Sequence, residues 1–298
     1  MGYSLYMVDV FAERAFAGNP LAVVMDADGL DGEVMQQIAA ETNFSETTFV
    51  MSEPEGDAGY RVRIFTPARE IAFAGHPILG TAWVLRRHLG IESCGQVLLN
   101  LPASQVVARF EAPAGESEIV WFEAPSMSLG KTVPTDQLAA AVGLSTGDIE
   151  TQTPIQVVSA GTAAMIVPLR SLDALRRSQL DLGAFEPLAA QGFPPLVYLY
   201  SRETHHPRND LCARFFFEAH GVREDPATGN GAAFLGAYLL AHRVYEAPAL
   251  SLRIEQGHEV RRPSLVMLRA QMSDTGPRVS IGGHVVATVR GELLTDNL

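Results

Sequence analysis

The sequence predicts an α+β protein with two pseudo-symmetric domains, each a barrel-like sheet wrapped around a central apolar helix. Two uncharged segments of helical character, at residues 77–85 and 232–241, occur one in each half of the chain. Short runs that read as strands precede and follow both segments. A helix that is apolar nearly all round must be buried on most sides. Strands that wrap a central helix therefore account for the pattern better than alternating βαβ units.

The N-terminal half is dominated by short strands. Apolar residues at helical spacing predict an amphipathic helix that ends at Asn43, and Glu46 stands at the entry of the strand that follows. The alternation of residues 60–66 is typical of a half-buried strand. The predicted strands are 3–10, 21–25, 44–50, 60–66, 96–101, 105–111 and 118–123, and the predicted helices are 31–42 and 77–89.

The second half repeats the pattern of short strands around one apolar helix, after a change in sequence pattern at Ala124-Pro125. We therefore place the domain boundary there, with an N-terminal domain at residues 1–124 and a C-terminal domain at 125–283. Lys131 lies in a turn-like segment. The predicted helices are 135–142, 172–179 and 232–241, and the predicted strands are 155–159, 164–168, 196–200, 212–218, 250–255, 264–271, 278–281 and 285–290.

Composition excludes several classes of function. The net charge of -12 and the pI near 5.1 argue against nucleic acid or an anionic membrane as a partner. No apolar run approaches the ~18 residues of a membrane span, and the N-terminus does not resemble a signal peptide. Cys94 and Cys212 have no metal-like spacing. We expect a cytoplasmic protein that uses neither a metal nor another cofactor.

Each half carries a polar motif at the start of its apolar helix. Asp225 is followed by Gly229, Asn230 and Gly231 in the second half, and Gly75-His76-Pro77 takes the corresponding place in the first. Backbone N–H groups at a helix start attract anions. One motif alone is equally consistent with a capped core helix. The repetition favours a binding role, with both helix starts directed at one cleft.

Other chemistries find little support. Lys131 is the only lysine, so a Schiff-base or pyridoxal-phosphate mechanism has almost no candidate. The sequence around Gly229 lacks the third glycine of a dinucleotide-binding motif and does not directly follow a predicted strand. His205-His206 reads as part of a solvated loop rather than a metal site, and His258 as structural.

The sequence resembles the phenazine-biosynthesis isomerase (PhzF-like) family over essentially its whole length. The resemblance rests on motifs that occur in the family's order. These are Gly18-Asn19-Pro20, Ser45-Glu46-Thr47-Thr48-Phe49, Phe65-Thr66-Pro67, Gly75-His76-Pro77, Glu224-Asp225-Pro226-Ala227-Thr228-Gly229, Gln256-Gly257 and Arg262-Pro263-Ser264.

The resemblance implies a diaminopimelate-epimerase-like fold in which residues 284–298 complete the N-terminal domain, and a homodimer. It implies Glu46 as the acid/base group, with His76 and Asp225 assisting. The expected substrate-binding residues are Asn19 and Ser45 in the family motifs, together with Gly75, Gly229, Asn230 and Gly231 at the helix starts. Asn230 stands where many family members carry serine.

Related racemases of this fold use two cysteines, and the resemblance puts Ala74 and Thr228 at those places in this chain. Neither residue can exchange a proton, so a two-cysteine mechanism is not available. A proton shift needs a carboxylate whose pKa is raised towards neutrality, and Glu46 is the candidate.

We therefore expect a cofactor-independent isomerase that acts on a small carboxylate-bearing metabolite by proton shift or epimerisation. Two alternatives stay open at this point. The chain could be a catalytically silent small-molecule-binding protein of the same fold. It could also be a hydrolase or thioesterase, although the sequence has no nucleophile elbow.

Overall fold

The computed structural model describes residues 2–54, 59–115, 117–217 and 222–294, so the end of the predicted strand 212–218 and residues 295–298 lie outside it. The strands are β1 (Gly2–Val10), β2 (Asn19–Val24), β3 (Glu46–Pro54), β4 (Tyr60–Phe65), β5 (Glu70–Ile71), β6 (Gln96–Asn100), β7 (Gln105–Glu111), β8 (Ile119–Glu123), β9 (Ser128–Thr132), β10 (Gln156–Ala160), β11 (Thr162–Leu169), β12 (Val197–Ser201), β13 (Leu211–Phe217), β14 (Val222–Asp225), β15 (Ala249–Gln256), β16 (Ser264–Ser273), β17 (Gly276–Gly283) and β18 (Val285–Leu294). The helices are α1 (Gly32–Thr42), α2 (Gly75–His88), α3 (Thr135–Ala141), α4 (Leu172–Arg177), α5 (Leu182–Ala190) and α6 (Gly229–Ala241).

Contacts divide the chain into two compact units. The first comprises Met1–Glu123 and Gly282–Leu298, and the second comprises Ala124–Ile281. In the first unit β18 pairs antiparallel with β1, from Gly2 opposite Leu294 to Val10 opposite Val285. The C-terminal strand therefore belongs to the same sheet as the N-terminal strand.

Strand pairing repeats from one unit to the other. In the first unit β1–β2, β3–β4, β4–β5 and β6–β7 are antiparallel, whereas β2–β3 and β4–β6 are parallel. In the second unit β10–β11, β12–β13, β13–β14 and β15–β16 are antiparallel, whereas β11–β12 and β13–β15 are parallel. The two units thus share one topology, which confirms the predicted repeated α+β fold.

Each unit has one helix enclosed by strands. In the first unit α2 packs against β1, β2, β3, β6, β7 and β8, and in the second α6 packs against β10, β11 and β16. Every residue of α2 from Gly75 to Arg86 except Trp83 is buried, as is every residue of α6 from Gly229 to Leu240 except Asn230. Within the described chain no helix is long and apolar enough to cross a membrane.

Four elements were not predicted from the sequence, and two helices begin earlier than predicted. Lys131 lies in β9 rather than in a turn. Strands β5 and β14 and helix α5 were not predicted, and β14 ends at Asp225. A strand that was not predicted does precede the Gly229 motif, with three residues between the end of β14 and the start of α6. Helices α2 and α6 also begin at Gly75 and Gly229, earlier than their apolar segments indicated.

Gly80 allows α2 to approach the first sheet closely. A Cβ atom placed there would lie 2.6 Å from Leu21 Cδ2 and 2.9 Å from Val10 Cγ2. Both neighbours are fully buried: Leu21 lies in β2, and Val10 is the last residue of β1. Because a packed core cannot absorb an added methyl group without moving, a larger residue would displace α2 from these strands.

Replacing Gly80 with alanine should lower the free energy of unfolding by about 1–3 kcal/mol, the usual cost of overpacking a core. The measurement is urea denaturation of both proteins. Gly95→Ala is the matched control, since Gly95 is exposed and a Cβ there meets no atom within 4 Å. Equal destabilisation by the two substitutions would show that the close approach of α2 is not the cause.

Candidate active site

Glu46 begins β3 and lies opposite Leu21 of the parallel strand β2. Its side chain is buried, with the residue only 8% exposed. Glu46 Oε2 lies 3.4 Å from Nε2 of His76. The carboxyl group of Glu46 is therefore enclosed beside an imidazole rather than exposed to solvent at the strand end.

His76 is the second residue of α2 and is 4% exposed. Burial lowers the pKa of its imidazole to about 3, although a hydrogen bond to the backbone of Pro20 acts in the opposite direction. The ring is therefore neutral at physiological pH. Its Nδ1 lies 3.4 Å from Nδ2 of Asn19, which is fully buried at the start of β2.

A pair of threonines fixes α2 against the strand that carries Glu46. Thr81 Oγ1 of α2 and Thr48 Oγ1 of β3 are hydrogen-bonded at 2.8 Å, and both residues are fully buried. Thr48 is two residues from Glu46, and Thr81 is about one and a half turns from His76. This bond therefore ties α2, which carries His76, to β3, which carries Glu46.

Among the predicted site residues of the first unit, Asn19, Glu46 and His76 lie together, and we call them the Glu46 cluster. Ser45 precedes Glu46 and is half-buried. Gly75 is the first residue of α2, after the N-cap residue Ala74, whose side chain cannot cap the helix. The first-turn N–H groups of α2 therefore receive no capping bond from that side chain.

The remaining predicted residues lie in the second unit. Asp225 is the last residue of β14, opposite Phe215 of β13, and is 8% exposed. Its Oδ2 accepts a 2.5 Å hydrogen bond from Thr228 Oγ1. Thr228 is the N-cap residue of α6 but does not cap it through its side chain. The predicted Gly229, Asn230 and Gly231 form the first turn of this helix.

Gln256, the last residue of β15, joins this group and is fully buried. Its Nε2 donates to Asp225 O at 2.9 Å and to Thr228 Oγ1 at 3.1 Å. Its Oε1 accepts from Thr228 N at 3.2 Å. We call Asp225, Thr228 and Gln256 the Asp225 cluster. Sequence reasoning noted Gln256 only within a family motif, because no local pattern marks a contact across about thirty residues.

Gly231 is required by a close approach to Tyr198. A Cβ at Gly231 would lie 2.5 Å from Cδ2 of the Tyr198 ring. The Tyr198 hydroxyl donates a long 3.4 Å bond to Gln256 Oε1, and burial raises the pKa of this phenol above its usual value. The first turn of α6 is thus pressed against an uncharged aromatic side chain of β12.

His205, Glu255 and His258 form a third group, whose candidate ligand atoms lie within 4.8 Å of one another. The rings of His205 and His258 stack at 3.8 Å with an angle of 11° between them. Lone pairs of parallel rings lie in parallel planes and do not converge on one ion. Both Glu255 oxygens accept bonds from His205 N, His206 N and Asn209 Nδ2, so this carboxylate braces the loop.

Comparison with known proteins agrees with this fold and these motifs. The family model "Phenazine biosynthesis-like protein" matches residues 8–291. A trans-2,3-dihydro-3-hydroxyanthranilate isomerase of Pseudomonas aeruginosa is 35% identical over 297 residues, covering 96% of this chain and 97% of that protein. An uncharacterised isomerase of Pasteurella multocida is 36% identical over 301 residues, covering 98% of this chain and 94% of that protein.

Solved structures agree as well. A PhzF-family protein of Bacillus anthracis has a TM-score of 0.89 at 26% identity, covering 99% of this chain and 100% of that one. A hydroxyproline epimerase of Agrobacterium vitis has a TM-score of 0.63 at 13% identity, covering 98% of this chain and 91% of that one, and shares the fold alone.

The fold and the relatives together define an isomerase that acts on small molecules. Within that class, the chain belongs to the phenazine biosynthesis-like (PhzF) family.

The state of His76 can be tested directly. Its ¹⁵N and ¹H ring shifts, assigned by comparison with His76→Gln, should keep their neutral values from pH 8 to pH 5. The unfolded chain binds this proton near pH 6.5 and the folded chain only near pH 3. His76 should therefore lower the free energy of unfolding by ~1.4 kcal/mol per pH unit as the pH falls through that window, and His76→Gln should reduce the slope. A ring that titrates near pH 6.5 in the folded protein would contradict this.

Proposed function

We propose that the chain is a cofactor-independent isomerase in which Glu46 moves a proton between carbon atoms of a small carboxylate-bearing molecule. The observation that carries the proposal is the buried contact between Glu46 Oε2 and Nε2 of the neutral His76. A group that removes a proton from one carbon and returns it to another must act first as a base and then as an acid. A carboxyl group shielded from water is suited to both steps.

Other proton carriers are poorly placed for this chemistry. Cys212 is fully buried, and burial raises the pKa of its thiol well above the usual range, so it stays protonated. Cys94 is exposed, and Lys131 is exposed in β9 with its amine bound to Gln191 O. None of the three lies in the Glu46 cluster. The positions of these three residues support a mechanism that uses a carboxylate over one that uses a thiol or a lysine.

His76 serves as the hydrogen-bond partner of Glu46 in this proposal. A neutral imidazole has one donor and one acceptor nitrogen, so Nε2 can complement either protonation state of the carboxyl group as the tautomer changes. An imidazolium would instead hold Glu46 ionised and oppose its return step as an acid. The burial that keeps His76 neutral thereby allows Glu46 to alternate between base and acid.

In each unit taken by itself, the start of the enclosed helix is a proposed contact for an anionic group of a ligand. Gly75 and His76 begin α2, and Gly229, Asn230 and Gly231 begin α6. Neither N-cap residue caps its helix through its side chain, so the first-turn N–H groups retain capacity for an anion. This local attraction operates despite the net charge of -12, because it acts over about one turn.

Asn19 and Ser45 complete the proposed substrate contacts in the first unit, and Asp225 is the proposed second acid/base group. The relatives named trans-2,3-dihydro-3-hydroxyanthranilate isomerase suggest the first compound to test. That compound carries a carboxylate, the kind of group that a helix start can bind. Asn230 offers an amide to such a ligand, so related amino and hydroxy acids belong in the same screen.

Replacing Glu46 with glutamine should abolish proton transfer while leaving binding largely intact. The amide keeps the size and hydrogen bonds of the carboxyl group but cannot act as an acid or base, which typically costs ~10²- to 10⁴-fold in rate. The measurement is exchange of the carbon-bound substrate proton in D2O, followed by NMR, with binding measured by calorimetry.

Glu41→Gln is the matched control, since Glu41 is an exposed residue near the end of α1 and should exchange at the wild-type rate. Exchange by Glu46→Gln at the wild-type rate would exclude Glu46 as the proton carrier. Exchange lost equally in both variants would point to a general effect of removing a carboxylate near β3.

A further inference from the structure

We infer that Thr228 and Gln256 are positioning residues that hold Asp225 as an ionised hydrogen-bond acceptor. This inference deepens the proposed function, on which it rests, by assigning the protonation state of the second acid/base group. The hydrogen bonds of the Asp225 cluster have defined directions.

Backbone groups fix the orientation of the Gln256 amide. Its Oε1 faces Thr228 N, which can only donate, and its Nε2 faces Asp225 O, which can only accept. Exchanging the amide oxygen and nitrogen would break both bonds at once. Nε2 is therefore a donor to Thr228 Oγ1 at 3.1 Å.

This donor determines where the Thr228 hydroxyl proton points. Because Nε2 of Gln256 cannot accept, the proton must go to the other partner of Oγ1, which is Asp225 Oδ2 at 2.5 Å. A proton on Oδ2 would then face the hydroxyl proton. The chain Gln256 Nε2–H to Thr228 Oγ1–H to Asp225 Oδ2 thus favours the ionised carboxylate at that oxygen.

The residues around the Asp225 cluster also favour an ionised Asp225 carboxylate. Gln256 is fully buried, so water does not compete for its amide. Tyr198 of β12 interacts electrostatically with Asp225, and burial raises the pKa of its phenol, so it stays protonated. Glu224, next to Asp225 in β14, is bound by Arg214 Nε at 2.9 Å and Nη2 at 2.6 Å. The negative charge of this neighbour is therefore balanced within the sheet.

The same arrangement explains why the threonine at the N-cap position makes no capping bond through its own side chain. Threonine side chains often accept a bond from the first turn of a helix, but here Oγ1 is turned towards Asp225 and Gln256. One hydroxyl group cannot serve both purposes. The first turn of α6 keeps its anion-binding capacity because Thr228 is engaged in orienting the carboxylate.

The test is a pH titration of aspartate carboxyl carbons by ¹³C NMR, with the Asp225 signal assigned through Asp225→Asn. Thr228→Val removes the hydroxyl at nearly constant shape and should raise the titration midpoint of Asp225 by about one to two pH units, the equivalent of one hydrogen bond to a charged group. Thr228→Ser keeps the hydroxyl and should restore the wild-type midpoint.

Thr288→Val is the matched control, because Thr288 Oγ1 donates to Met7 O in the other unit and should leave Asp225 unaffected. An unchanged midpoint in folded Thr228→Val, or an equal shift in Thr228→Ser, would overturn the inference. If Thr228→Val does not fold, the wild-type protein still provides a test. The ¹³Cβ shift of Thr228 should follow the Asp225 titration and become flat in Asp225→Asn, and an independent Thr228 shift would overturn the inference.

These measurements need no substrate, so their failure would be distinct from a failure of the Glu46→Gln experiment. Failure of the Asp225 titration experiment would exclude only the positioning role of Thr228 and Gln256. Failure of the Glu46→Gln experiment would exclude the proposed isomerase mechanism.

Discussion

The burial of one helix start beneath the strands of each unit is the constraint on which the rest depends. Enclosing α2 removes water from His76, and the loss of hydration keeps its imidazole neutral. The same enclosure places the carboxyl group of Glu46 beside that ring. A helix lying on the surface would offer the same residues to solvent, where the imidazole would charge near neutral pH. Burial by the fold therefore supplies the neutral imidazole and the enclosed carboxyl group on which the proposed acid/base chemistry depends.

The repeated topology gives each unit the same supporting parts but different chemistry. In the first unit the residue before α2 is Ala74, and the polar group is supplied by His76 within the helix. In the second unit the residue before α6 is Thr228, and the polar group is Asp225 at the end of a strand. The same topology therefore carries the imidazole of His76 in one unit and the hydrogen-bonded carboxyl group of Asp225 in the other.

Sequence reasoning predicted the fold well because hydrophobic patterns report burial. The uncharged segments indicated α2 and α6, and alternation indicated most long strands. It placed both helix starts too late, since Ala74 is not a capping residue and glycines are poor helix formers. It missed α5 because Pro187 lies inside that helix, and β9 because Gly130 and Lys131 resemble a turn.

For the site, the sequence likewise predicted the residues but not their contacts. Glu46, His76 and Asp225 could be named because they stand in family motifs, but their contacts could not be read from the sequence. The contact of Asn19 with His76 spans 57 residues, and the bonds of Gln256 to Asp225 and Thr228 depend on the parallel register of β13 and β15. Such contacts arise from tertiary structure, which local periodicity does not encode.

The central claim is that one buried carboxyl group carries the same proton away from the substrate and back to it. The most direct measurement uses substrate deuterated at the reacting carbon and follows the label through a single turnover in H2O. We expect part of the deuterium to appear at the new position in the product, because Glu46 is shielded from bulk water. Complete washout of the label during a turnover faster than solvent exchange of a buried carboxyl group would contradict the account.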